Sequence, residues 1–242
     1  MAETLLAAEG LTKRFGGVYA SRDVSFSVGR GEIVGLIGPN GAGKTTLFNL
    51  VTGFIRPDAG TVRFAGADVT GMRPDRLCHL GVARTFQILK PFPRLTVAEN
   101  VMIGALARGG GIARAREAAA RCLALVGLEH KGDALARELS TGQRKRLEMA
   151  RALATGPQLL LLDEITGGVD QPSIPGLIAL VGRLRDEGVT LLVIEHNMRV
   201  IMGLADRVVF LHLGEKLAED APQAIASHPE VVALYLGRRD DR

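Results

Sequence analysis

Flat rings and sulfur are scarce in this chain: its 242 residues hold no Trp, two Tyr and two Cys. So few rings leave little with which to stack unpaired bases. The formal net charge is +4, and Arg supplies 24 of the 30 cations. That basic balance therefore reads as solvated surface and phosphate chemistry, and no nucleic-acid partner is expected. Cys78 and Cys122 lie far apart without ligand-like neighbours, which argues against a disulfide framework or a zinc site and for reduced thiols in a cytosolic protein. No apolar run approaches the roughly eighteen residues of a membrane-crossing helix. The opening Met1-Ala2-Glu3-Thr4 has an acid where a leader would be basic and then apolar, so no signal peptide is expected. Internal repeats and low-complexity tracts are also lacking. What is present is a hydrophobic content of 47%, enough for one large α/β domain or a core with a subdomain.

The most informative stretch is Gly38-Pro39-Asn40-Gly41-Ala42-Gly43-Lys44-Thr45-Thr46. It fits the pattern G-x-x-x-x-G-K-[ST] of loops that cradle a triphosphate. Such a loop turns its backbone amides inward, and glycine permits the positive φ and close approach this requires. The apolar run Ile33–Ile37 before it has the character of a buried strand, and Thr45–Thr52 after it that of a helix. A helix N-terminus aimed at the loop favours an anion. Lys44 is then expected to reach the β- and γ-phosphates of a nucleoside triphosphate, with the Thr45 hydroxyl on Mg²⁺.

Residues Leu5 to Phe26 alternate short apolar pieces with turn signals, as in a small antiparallel layer. Phe15 and Tyr19 are aromatics ahead of the loop. An exposed ring there would stack on a purine, and a buried one would be ordinary core; position alone leaves this open. A turn at Arg56–Gly60 precedes a strand near Thr61–Phe64, and Val82–Phe86 reads as a strand ending at Gln87. From about Leu95 to Gly156 the composition becomes helical. Ala115, Ala119, Cys122, Leu123 and Val126 share one helix face, opposite Arg114, Glu117 and Arg121, and Gly109–Gly111 is a joint between helices. Leu139-Ser140-Thr141-Gly142-Gln143 leads into a helix over Arg144–Ala154 with Ser140 as N-cap. The cluster Arg144, Lys145, Arg146 reads as a solvated face.

Leu159–Leu162 is a strand buried on both faces, the pattern of a parallel sheet. It delivers Asp163 and Glu164 at its C-terminal edge, where ligands bind in open α/β folds. Asp163 is expected to be the Mg²⁺ partner. Val189–Ile194 is a second such strand, with Glu195-His196 at its end. Val208–Leu213 and the piece before Glu219 read as a hairpin, Glu230–Leu236 as a short helix, and residues 238–242 as a frayed tail.

In this order the pieces resemble the ATP-binding-cassette (ABC) ATPase family along nearly the whole chain. The phosphate loop is Gly38–Thr46, Gln87 matches the Q-loop, and Leu139–Gln143 matches the signature L-S-x-G-Q. Asp163-Glu164 closes the Walker B strand, Asp170 sits in the D-loop, and His196 matches the switch histidine. The resemblance implies a P-loop NTPase core of mainly parallel sheet, an N-terminal antiparallel β layer and a helical subdomain. Residues 1–88 and 157–242 would form the core with its β layer, and residues 89–156 the subdomain carrying the signature.

The resemblance also implies a head-to-tail dimer with two ATP molecules, each between the phosphate loop of one subunit and residues Ser140, Thr141, Gly142 and Gln143 of the other. Glu164 would polarise the attacking water, His196 would contact the γ-phosphate, Gln87 would join Thr45 and Asp163 at Mg²⁺, and Phe15 rather than Tyr19 would stack on adenine. Two positions depart from the family pattern: Thr141 stands where Gly is commonest, and Ile165 where Pro usually follows the glutamate.

Within the family, five stretches resemble ATPases of branched-chain amino acid importers. They are Ile37–Asn49, Ala83–Gln87, Arg146–Leu153, Ile194–Met198 and the ending Ala233–Gly237. Urea or amide importers and the lipopolysaccharide-export ATPase are similar as well. The implied partners are a second ABC ATPase subunit, integral membrane permease subunits and, indirectly, a solute-binding protein, with the chain peripheral on the cytoplasmic face of the inner membrane. A soluble ABC ATPase acting on nucleic acid or ribosomes would usually carry tandem cassettes, a long coiled coil or a cysteine cluster. A GTP switch would carry N-K-x-D. Neither set of features is found here.

Overall fold

Alternation of apolar and polar residues builds the first layer. A computed structural model describes residues 3–86 and 91–236. In it β1 (Thr4–Phe15) and β2 (Val18–Gly29) form an antiparallel hairpin closed at Gly16-Gly17. The third strand introduced here, β3 (Ile33–Ile37), belongs to a different sheet, while β4 (Ala59–Phe64) pairs antiparallel with β1 and carries the two-residue β5 (Ala67–Asp68). The antiparallel layer expected over Leu5–Phe26 is therefore present, and β4 contains the strand expected at Thr61–Phe64. The described residues divide into two units, one running to Pro74 and resuming at Thr190, the other spanning Asp75–Val189.

The first unit holds the strand that feeds the phosphate loop. All five residues of β3 are buried, as continuous apolar character requires of a parallel strand covered on both faces. The remaining strands are β6 (Val82–Arg84), β7 (Leu159–Asp163), β8 (Thr190–Ile194), β9 (Arg207–His212) and β10 (Glu215–Asp220). β3 lies between β8 and β9, parallel to both, and β10 returns antiparallel along β9. Polar ties fix the N-terminal ends of these strands. Asp206 accepts the Ile33 amide proton at 2.8 Å, and Arg207 bridges both oxygens of Glu32, at 2.9 and 3.0 Å, while also bonding Ser27 O and Glu219. α1 (Lys44–Val51) follows the loop.

The second unit begins with α2 (Pro74–Leu80) and pairs β6 with β7 in parallel. α3 (Val97–Leu106), α4 (Gly111–Val126) and α5 (Thr141–Leu153) pack on one another, and α6 (Ile174–Asp186) follows β7. The first unit closes with α7 (Met198–Leu204), α8 (Pro222–Ser227) and α9 (Pro229–Leu236). Both α3 and α5 begin with a capping box, Thr96 with Glu99 and Ser140 with Gln143, in which each side chain satisfies the other's amide. On α4 the buried residues are Ala115, Ala119, Leu123 and Val126, with Arg114, Glu117 and Arg121 exposed, as the period predicts.

Two readings change. The strand expected over Val82–Phe86 stops at Arg84, because side chains take over the ladder: Thr85 Oγ1 accepts from the Asp163 amide at 3.1 Å and Glu148 accepts from the Phe86 amide at 2.7 Å. The cluster Arg144, Lys145, Arg146 is not a solvated face. Lys145 is buried, and Arg144 and Arg146 turn back to the carbonyls of Arg137 and Val126 at 2.9 and 2.8 Å. The tail at residues 238–242 lies outside the described residues.

Candidate functional site

The phosphate loop is built from close backbone approach. A Cβ on Gly38 (φ 150°) would lie 2.1 Å from Leu211 O, and one on Gly43 (φ 101°) would lie 2.2 Å from Ala20 O. Only glycine lets the loop sit this tightly on β2 and on the strand β9 beside it. Gly214, in the β9–β10 turn, donates to Ala42 O at 3.0 Å and ties down the back of the loop. Gly43 takes the N-cap position of α1 without a side-chain cap, and the first turn holds no acid, so the helix start is suited to an anion. Lys44 is buried, and its ammonium curls over the loop to Gly38 O at 2.7 Å and Pro39 O at 2.9 Å. Thr45 is exposed at the helix start.

Phe15, at the end of β1, is 50% exposed, with Lys13 Nζ 5.8 Å from its ring centre. It is not a core residue. Tyr19 differs, since the guanidinium groups of Arg14 and Arg22 lie 5.5 and 4.5 Å from its ring centre. Phe15 is thus the ring with more open surface for a base. His196 follows β8 as an exposed side chain, and its amide donates to the carboxylate of buried Glu195 at 3.2 Å.

The second unit gathers the other predicted residues. Asp163 ends β7 and is only 4% exposed, with Arg84 Nη2 at 3.4 Å from Oδ2. Glu164 leaves the strand at φ 50°, a left-handed conformation uncommon for a residue other than Gly, Asn or Asp. Ile165, in place of the family's Pro, is buried. Asp170 is exposed, with both oxygens accepting from Ser173 Oγ at 2.9 Å.

At the signature, Ser140 accepts the Gln143 amide and Gln143 accepts the Ser140 amide, at 3.3 and 3.0 Å. The amides of Thr141 and Gly142, the first two of α5, have no intrahelical carbonyl to donate to. The signature packs beside the loop after β7: a Cβ on Gly142 would meet Val169 at 3.7 Å, and one on Gly168 would meet Thr141 at 3.8 Å. Gln87 lies outside the described residues.

Sequence reasoning missed the ionic cluster behind Asp163. Burial pushes the Glu148 carboxyl up to about 7, opposed by its bond from the Phe86 amide and by Lys145 and Arg151, and reinforced by Asp163. Burial lowers the Arg84 guanidinium, while Asp163 and Glu148 favour its charge. Nothing in a Lys-Arg-Leu-Glu helix sequence distinguishes these residues from a solvated face.

These features define an ATP-binding cassette. The ABC transporter family model matches residues 21–167, more than half of the chain, and the chain belongs to that family: it is an ATP-hydrolysing, ATP-binding subunit of an ABC transporter. Among relatives, it is 37% identical to the high-affinity branched-chain amino acid transport ATP-binding protein LivG of Salmonella typhimurium, across 98% of this chain and 99% of LivG. BraF of Pseudomonas aeruginosa, a protein of the same description, matches at the same identity and coverage. Among solved structures, the ADP conformation of MJ1267, an ATP-binding cassette of an ABC transporter, is 34% identical with a TM-score of 0.89, covering 98% of this chain and 100% of that one. A dimeric post-hydrolysis state of the cassette MJ0796, bound to ADP and Pi, aligns at 27% identity and TM-score 0.81, covering 90% of this chain and 99% of that one.

Proposed function

We propose that this chain powers a permease that imports branched-chain amino acids, working on the cytoplasmic face of the inner membrane as one half of an ATPase dimer. The observation that carries this reading is the end-to-end likeness to the branched-chain amino acid transport proteins LivG and BraF, at 37% identity. Among the described residues no helix is long and apolar enough to cross a membrane, so attachment falls to permease subunits, which residues 89–156 would contact. A solute-binding protein would bring the cargo to the permease, and the cassette would never touch it.

In this mechanism the backbone N–H groups of the Gly38–Thr46 loop, which Pro39 lacks, and the Lys44 ammonium hold the β- and γ-phosphates, and Phe15 stacks on adenine. The Thr45 hydroxyl, the Asp163 carboxylate and Gln87 are oxygen donors of the hard kind that suits Mg²⁺, a cation that keeps several waters and shares its ligands with phosphates. Mg²⁺ held by these residues would supply charge that offsets that of the phosphates. Glu164 takes the proton of the attacking water, and His196 donates to the γ-phosphate. The helix-start amides of Thr141 and Gly142, with Ser140, Gln143 and Asp170, act on the nucleotide of the partner subunit.

The test is uptake of labelled leucine, isoleucine and valine in a strain lacking the gene. The wild-type gene should restore uptake and Glu164→Gln should not, while purified Glu164→Gln still binds ATP and its phosphate release falls by roughly 10²- to 10⁴-fold. Near-normal hydrolysis in that variant would remove Glu164 as the base. Unchanged leucine, isoleucine and valine uptake in the deletion strain would remove the proposed cargo.

A further inference from the structure

Lys145 and Glu148 stand three residues apart on α5, so they share a face and neighbouring turns. Each makes its hydrogen bond to backbone, with the Lys145 charge also favouring ionised Glu148. Lys145, 6% exposed, donates from Nζ to the carbonyl oxygen of Glu164 at 2.7 Å. Glu148 accepts the amide proton of Phe86 through Oε1 at 2.7 Å. Phe86 is the residue before Gln87, and Glu164 is the glutamate that turns left-handed out of β7.

The Glu164 carbonyl is doubly held, because the Gly167 amide also donates to it at 3.2 Å. Two donors on one oxygen fix the plane of the peptide that follows Glu164. A left-handed non-glycine residue persists only where its surroundings over-determine it, and here Lys145 supplies one of the constraints seen among the described residues. Burying an ammonium is unfavourable unless it is satisfied. A Lys that needed only to fill space on α5 would be served as well by Met, and one that needed only solubility would face water. This one is buried, and its hydrogen bond among the described residues goes to the backbone of the catalytic glutamate. The same helix begins at Thr141-Gly142, the signature.

We infer that Lys145 and Glu148 are positioning residues for ATP hydrolysis: from one face of the signature helix they fix the backbones of Glu164 and Phe86. The aim of the catalytic carboxylate is thereby set by the helix whose N-terminus carries the signature. Any shift of α5 drags both chain exits with it. The inference rests on the reading of Glu164 as the base.

The experiment measures kcat and KM for Mg-ATP in the full chain, in the assembly in which the wild type turns over. Lys145→Met keeps length and packing but removes the donor. It should lower kcat by about 10- to 100-fold, as a small misplacement of a reacting group does. KM should stay within about twofold, as expected of a residue that positions the reacting group rather than binds nucleotide. Lys145→Arg, which retains a donor, should recover most of the loss. Glu148→Leu should lower kcat, and Glu148→Gln, which still offers an oxygen to the Phe86 amide, should not.

The decisive measurement is the double variant. In a Glu164→Gln background, Lys145→Met should cause no further decrease in single-turnover rate, since it acts through that residue. An unchanged kcat in Lys145→Met, no recovery in Lys145→Arg, or an equal loss in both backgrounds would overturn the inference. Normal turnover in Glu164→Gln alone would instead overturn the base assignment, so the two failures are distinguishable.

Discussion

At the scale of single residues, burial decides which charges matter. Glu148 titrates near 7 because burial outweighs the amide and cations around it, and Asp163 adds to the upward push. An unfolded chain ionises this carboxyl near its ordinary 4.5. Between those two values the folded state holds the proton more tightly. Stability from this group is therefore full below about 4.5, declines as pH rises through 7, and stays lower above it. Glu148→Gln should behave as the permanently neutral form. In nucleotide-free protein it should melt at the wild-type temperature near pH 4.5 and several degrees higher at pH 8; equal melting at both would show that the carboxyl is not raised. Lys145, Arg151, Arg84 and Asp163 surround the group, so the comparison is made at constant ionic strength. None of this was legible in the sequence. A Glu in an amphipathic helix reads as solvated until the neighbouring strands are known. By contrast the glycines and Lys44 were legible, because their spacing is itself the geometry of the loop.

At the scale of elements, the strongest periodic segments were read correctly and the local terminations were not. β3, β7 and β8 are runs of apolar residues, and each is buried along its length. β6 ended early because the Phe86 amide went to the Glu148 carboxylate and the Asp163 amide of β7 to the Thr85 hydroxyl, tertiary events that period and propensity do not encode. The capping boxes S-x-x-Q and T-x-x-E were available as signals, yet Ser140 was read only as an N-cap. Close helix packing was hidden too. Gly104 sits mid-helix in α3, where Ala would ordinarily be better by about 1 kcal/mol. Yet a Cβ there would lie 2.3 Å from the backbone oxygen of Arg151 on α5. Backbone cannot yield as a flexible side chain does, so α3 and α5 would have to move apart. Overpacking of this kind destabilises by about 1–3 kcal/mol. Gly104→Ala should therefore lower the denaturation midpoint despite its better helix propensity, and a raised midpoint would show that the helices separate freely.

At the scale of the whole molecule, the proposed membrane attachment runs through permease subunits; among the described residues no helix is long and apolar enough to cross a membrane. The segment entering α3 is built to present a surface. Asn100, wholly buried, accepts the Phe92 amide proton at 2.8 Å and donates to Phe92 O at 3.0 Å, so both backbone polar groups of Phe92 are held. The Phe92 ring nonetheless stands 43% exposed, with the Arg151 guanidinium 5.1 Å from its centre. A backbone held this firmly beneath an exposed aromatic ring is the arrangement of an interface anchor, since a pre-ordered ring loses little freedom on binding. Phe92→Glu should leave the fold intact, because the holding bonds are to the backbone. Co-expressed with its permease, the variant should leave the membrane fraction, with affinity weakened by at least about tenfold, while its nucleotide binding in isolation stays at the wild-type level. Membrane retention and permease-stimulated hydrolysis equal to wild type would show that the partner docks elsewhere.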